Sequence, residues 1–116
     1  MFIAYVIVTV VTIAANAGIA VADLMKAGFV LANAAEVGTP RSWIPPLAAL
    51  KGAGAAGLLL GLLGVPFLDA AAATGLVLFY VGAIAVHVRA RVYYNMAFPG
   101  GYLALSVASL VLTATR

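Results

Sequence analysis

The sequence predicts an all-α membrane protein, with four transmembrane helices in one bundle and a short interfacial helix between the first two. Three observations carry that expectation. Of 116 residues, 66% are hydrophobic and only 8% are charged, against roughly 25% charged residues in an ordinary soluble domain. Four apolar stretches, Phe2 to Val21, Pro45 to Leu63, Asp69 to Val88 and Pro99 to about Thr113, approach or match a hydrocarbon core about 30 Å thick at about 1.5 Å of rise per residue. Nearly every charge falls at one end of the bundle that four alternating spans make.

Boundary residues justify the elements in turn. The first span has no basic stretch before it and no small-residue cleavage site after it, so it reads as a retained helix and not a removed signal peptide. It runs into Asp23 and Lys26, followed by AGFVLANAAEVGTPRSW. In that segment Phe29 to Val37 reads as a short interfacial helix, stopped by Gly38 and Pro40, with Trp43 at headgroup depth. Pro45 and Pro46 open the second span, where a missing amide hydrogen costs little. Gly64 and Pro66 terminate it in a tight turn, and Asp69 falls in the first turn of the third span, where the helix dipole favours a carboxylate. The third span ends in HVRARVYYN, and Pro99 begins the fourth. No stretch outside the spans is long enough for a second core, so a single domain covers residues 1–116.

Charge then orients the bundle. Four alternating spans gather Lys26, Arg41, Lys51, Arg89 and Arg91 with Asp23 and Glu36 on one side, five basic against two acidic groups, or 5 − 2 = +3. The positive-inside rule makes that side cytoplasmic, with both termini outside, in a multi-pass protein of the inner (plasma) membrane. The pI of about 9.6 thereby reports topology and anionic lipid rather than nucleic acid. With no cysteine, disulfide redox chemistry and thiolate metal sites are excluded. One histidine and three dispersed acids supply no metal-ligand set.

Helical spacing assigns faces. Gly54, Gly57, Gly61 and Gly64 recur along the second span as a helix-packing seam, with Gly57 and Gly61 a small-xxx-small pair. Tyr5, Thr9, Thr12, Asn16 and Asp23 form a stripe on the first span, and Tyr102, Ser106, Ser109 and Thr113 another on the fourth. Lipid offers such groups no hydrogen-bond partner, so the stripes face protein or a polar cavity. As interhelical glue each hydroxyl contributes only about 0.6 kcal/mol.

Two residues invite a ligand. Lys51 lies roughly 8 Å inside the second span, where an unpartnered cation costs about 2 to 3 kcal/mol. It either snorkels to the headgroups or turns inward, to Asp23 or to an anionic or carbonyl group of a ligand. His87, the single histidine, follows Tyr80 by seven residues on one face, and its imidazole can change charge near neutral pH. The candidate ligand-binding set is Asp23, Lys51 and His87, with Tyr80 and Asn95 as neighbours, around a quinone or lipid head. No residue is assigned to catalysis.

The order of these features resembles the DoxX-like family of small four-helix bacterial membrane proteins over nearly the whole chain. Lys26 after the first span, Gly38, Pro40 and Pro46 before the second, the small-residue-rich second span, His87 closing the third and Pro99 opening the fourth carry the likeness. The family pattern commonly has an acidic residue near position 51, where this chain has Lys51. The resemblance implies an accessory subunit of a quinone-linked membrane oxidoreductase, in contact with lipid and with other membrane subunits or further copies of itself. A structural subunit that binds other membrane helices through the glycine face is the alternative, and a small proton-coupled transporter the third.

Overall fold

The computed structural model describes residues 2–25, 27–94 and 96–115. Five α-helices run in the order α1 (Phe2–Leu24), α2 (Gly28–Glu36), α3 (Ile44–Leu62), α4 (Leu68–Arg89) and α5 (Ala97–Thr115), with a 3-10 turn at Arg41–Trp43 before α3. Helices α1, α3, α4 and α5 are each long and apolar enough to cross a membrane, so the protein is a four-helix membrane bundle with a short helix after the first span. Its long axis of 39 Å exceeds a hydrocarbon core of about 30 Å and reaches into the headgroup layers.

The helix ends follow from local chemistry. Proline is tolerated in the first turn, where amides have no intrahelical acceptor; Pro45 and Pro46 follow Ile44 there, and Pro99 sits in the first turn of α5, which starts at Ala97 rather than at the proline. Helices α2, α3 and α4 end in the same hydrogen-bond pattern, with Thr39 N–H to Ala34 O, Val65 N–H to Leu60 O and Val92 N–H to His87 O. Such a cap needs a left-handed residue just past the helix. Gly38 (φ 76°) and Gly64 (φ 115°) supply it for α2 and α3, whereas α4 uses Arg91 at φ 58°, a conformation that costs a non-glycine residue about 1–2 kcal/mol.

Each span has two neighbours: α1 and α4 both pack beside α3 and α5, so α1 and α4 face each other along a diagonal. Polar and apolar residues are arranged inside out. Tyr5, Thr9, Thr12, Asn16 and Asp23 are all buried on α1, and Ser106 and Ser109 on α5, while Ile3, Ile7, Val10, Leu78, Val81, Val107 and Val111 are exposed. The apolar core proper is the cluster of Leu58, Ala73, Leu76 and Tyr80 at the meeting of α3 and α4. Lipid covers the apolar exterior, and the bundle interior supplies the hydrogen bonds that lipid cannot.

Close approach of α3 and α4 depends on glycine. A Cβ at Gly54 would lie 2.5 Å from Leu76 Cδ2, one at Gly57 2.8 Å from Ala72 Cβ, and one at Gly61 2.5 Å from both Asp69 N and Asp69 Cβ. The seam is therefore filled from within by α4. This corrects two sequence expectations. Gly64 is not a packing glycine but an exposed turn residue beyond the end of α3, with open space where its Cβ would be. The surface needed for binding foreign helices through Gly54, Gly57 and Gly61 is already occupied, so the assembly alternative loses its face.

Candidate ligand site at the charged end of the bundle

Parallel packing of α1 and α4 sets the level of every group in the site. Tyr5 bonds to Asp69 and Asn16 to Tyr80, both across a separation of 64 residues. The same offset applied to Asp23 gives position 87, so Asp23 and His87 are at one level of the bundle. Lys51 enters that level from α3, because its Nζ donates to Asp23 Oδ2 at 2.7 Å.

The ion pair is enclosed. Side-chain exposure is 14% for Lys51 and 5% for Asp23, and Lys51 Nζ stands 5.4 Å from the centroid of the Phe79 ring. Lys51 thus turns into the bundle and meets a carboxylate and an aromatic face instead of reaching to the headgroups. Both charges are screened little at such a position. One layer deeper in the bundle lie Tyr80 and Tyr102. There the Tyr80 hydroxyl donates to Asn16 Oδ1 at 2.5 Å, and the Tyr102 hydroxyl to the Ala15 carbonyl at 3.1 Å.

Aromatic rings form a continuous wall beside these groups. Phe79 meets Tyr80 edge-on at 5.0 Å, Tyr80 meets Tyr102 at 5.3 Å, and Phe98 stacks on Tyr102 at 5.3 Å with 15° between planes. Phe29 of α2 extends the row to Phe98 at 6.3 Å. Offset-stacked and edge-on rings attract each other by about 0.5–1.5 kcal/mol per pair beyond area burial. Phe98 and Tyr102 cover one another's faces and Tyr80 is buried in the core, so the exposed end of the wall is at Phe98 and Phe29.

Helix α2 closes the end of the site through three contacts with α4, α5 and the loop between them. Besides the Phe29–Phe98 contact, His87 Nε2 lies 3.2 Å from Asn33 Oδ1, and the Tyr94 hydroxyl donates to both Glu36 oxygens at 2.6 and 2.7 Å. His87 Nδ1 faces the Ala83 carbonyl at 2.9 Å. That carbonyl only accepts, so the Nδ1 proton is fixed; a neutral ring then accepts at Nε2 from the Asn33 amide turned about, and an imidazolium donates to Asn33 Oδ1 as placed. In the exposed α4–α5 loop the Tyr94 phenol is held above its ordinary pKa, first by the hydrogen bond to Glu36 and then by the charge of that carboxylate.

Of the sequence-derived candidates, Asp23 and Lys51 are joined directly, Tyr80 is one layer deeper on Asn16, and His87 is level with Asp23 but bonded to Asn33. Asn95 lies outside the described residues, as does Lys26. Asn33, Phe79 and Tyr102 belong to the site and were missed. Asn33, with Glu36 one of two polar side chains on the interfacial helix, was a legible hint, and Tyr102 already stood on the inward stripe of the fourth span; Phe79 carried none, since an aromatic residue on a span is ordinarily packing. Among the described residues no group of three His, Cys, Asp or Glu side chains is arranged to hold a metal ion.

A family model, that of the DoxX-like family, matches residues 7–109 of the chain. No curated protein and no solved structure gave a match.

Proposed function

Since this chain belongs to the DoxX-like family, we propose that it is an accessory membrane subunit of an oxidoreductase system, binding a small amphiphile of the quinone or lipid class at Asp23, Lys51 and His87. The observation that supports it best is the enclosed Asp23–Lys51 pair against an aromatic wall. As glue the pair is poor, because apolar residues of similar volume hold helices as well or better than a desolvated ion pair. As a receptor it is apt. The ammonium has three donors and gives one to Asp23, so it can also donate to a quinone carbonyl. Phe98, 48% exposed at the end of the aromatic row, is the ring against which a flat head can pack. His87, level with Asp23, bonds to Asn33 and so holds α2 against this end of the site.

The test is titration of the full chain, in lipid nanodiscs, with a short-chain benzoquinone followed by calorimetry. Saturable binding is expected, weakened in His87→Ala and weakened further in Lys51→Met, with both variants still inserted in the membrane. Equal binding by both variants and the parent would overturn the proposal.

The same reading puts residues 23 to 45 and 89 to 98 in the cytoplasm and the termini outside, in the inner (plasma) membrane of a bacterium, because the basic residues crowd the α2 end. Single cysteines at Ser42 and Thr115 report this in an otherwise cysteine-free chain. An impermeant maleimide on intact cells should label position 115 and not 42; the opposite pattern reverses the orientation.

A further inference from the structure

Three of the helices end in the same cap, but only two of them fill its left-handed position with glycine. Past α2 and α3 that position holds Gly38 and Gly64; past α4 it holds Arg91 at φ 58°. The cap itself asks for no side chain there, since its bonds run between backbone groups. Arg91 N–H to Val88 O and Val92 N–H to His87 O close α4, just as Gly64 N–H to Gly61 O and Val65 N–H to Leu60 O close α3. Glycine would make the same bonds without the clash that a Cβ meets in the left-handed region. A non-glycine residue kept in such a conformation points to a task for its side chain.

Nothing inside the bundle uses that side chain. Arg91 is exposed, and so is Arg89, the last residue of α4. Among the described residues neither guanidinium has a hydrogen-bond or ion-pair partner. Glu36, the exposed carboxylate at this end, is bound by the Tyr94 hydroxyl instead. Two ordinary roles leave Arg91 unexplained. The helix dipole favours a cation in the last turn, which accounts for Arg89 but not for a residue past the cap. A basic residue anywhere in the α4–α5 loop would orient the spans equally well, and the neighbours Ala90 and Val92 occupy unstrained positions.

Location supplies the partner. The bundle is 39 Å long and overruns a hydrocarbon core of about 30 Å, so the end of α4 stands at headgroup depth. Exposed aromatic rings mark the same depth at this end, Trp43 before α3 and Tyr93 after α4, as amphipathic rings do at a membrane–water interface. The anions found at that depth are lipid phosphates, and the planar guanidinium fork matches a phosphate with two parallel hydrogen bonds. We propose that Arg89 and Arg91 form a docking surface for the headgroup of an anionic phospholipid in the adjacent leaflet, and that Arg91 gives up cap stability for this contact. The surface is separate from the enclosed Asp23–Lys51 pair, and its chemistry is that of a phosphodiester oxyanion carried on a membrane.

The test is the thermal unfolding midpoint of the full chain in neutral detergent micelles carrying increasing mole fractions of dihexanoyl phosphatidylglycerol or dihexanoyl phosphatidylcholine. The anionic lipid is expected to raise the midpoint saturably, and the zwitterionic lipid far less. Arg91→Gly should move two readings in opposite senses. In lipid-free micelles it should raise the midpoint by about 3 °C, because the backbone strain is relieved. The mole fraction of phosphatidylglycerol for half-effect should rise about fivefold, the effect of one basic residue near an anionic surface. Arg89→Gln should show the second change without the first. An unchanged midpoint in lipid-free Arg91→Gly, or a phosphatidylglycerol response that both variants share with the parent, would overturn the proposal. So would an equal rise with inorganic phosphate in lipid-free micelles, which would mark a site for soluble anions. A parent that does not distinguish the two lipids would overturn it as well, and would leave an acidic segment of a partner protein as the group that covers these arginines.

Discussion

Lys51→Met is expected to destabilise the bundle by about 3–5 kcal/mol, because it leaves the Asp23 carboxylate enclosed without its cation. The double variant Asp23→Asn, Lys51→Met should recover most of that loss, since it removes both charges and keeps side-chain volume. The contrast follows from desolvation. At 14% and 5% exposure neither group is well hydrated, so the pair offsets a cost that each member alone has to bear in full. Reversible unfolding in mixed detergent micelles measures both variants against the parent. If Lys51→Met is as stable as the parent, Asp23 is hydrated or protonated in the folded protein, and the site has no enclosed charge to offer a ligand.

Gly61→Ala should be the most damaging single-methyl insertion in the chain, costing about 3 kcal/mol, near the upper end for overpacking. The added Cβ meets Asp69 N and Cβ at 2.5 Å and Asp69 Cα at 2.8 Å, and backbone atoms cannot turn away. Gly54→Ala meets the Leu76 side chain, Cδ2 at 2.5 Å and Cγ at 2.7 Å, which can shift where backbone cannot, so about 1–2 kcal/mol is expected there. Gly82→Ala has open space around the new methyl and should be neutral or stabilising by up to about 1 kcal/mol, the ordinary helical advantage of alanine over glycine. The same micelle unfolding assay ranks the three. A flat series would mean that α3 and α4 do not approach as closely as the Gly61–Asp69 contact requires.

Spans, caps and inward faces were legible in the sequence because they depend on local properties. Apolar length fixes what can cross a bilayer, prolines and glycines fix where helices stop, and helical periodicity groups Tyr5 through Asp23 on one stripe. Periodicity also located the glycine seam, but it could not say which helix fills it. Nor could it distinguish Gly64, which continues the spacing of the seam, from the residues that pack; only the left-handed cap at φ 115° does so.

Partnership was the part decided by tertiary structure. Asp69 reads in the sequence as a carboxylate in a first helical turn, yet in the fold it is covered by Gly61 and bonded to a tyrosine 64 residues away. His87 reads as a candidate for the company of Lys51, yet it bonds to Asn33 of the interfacial helix, while Lys51 takes Asp23. The reason is geometric: periodicity gives the face of each helix, but not its rotation or its height against its neighbours. Those follow from close packing of all four spans at once, through the glycine contacts between α3 and α4 and the constant α1–α4 register. The sequence alone therefore determined that this chain is a membrane bundle with a polar interior and a charged end. Only the packed structure decided which buried groups satisfy one another, and which three hydroxyls, those of Thr9, Ser109 and Thr113, are left without a partner.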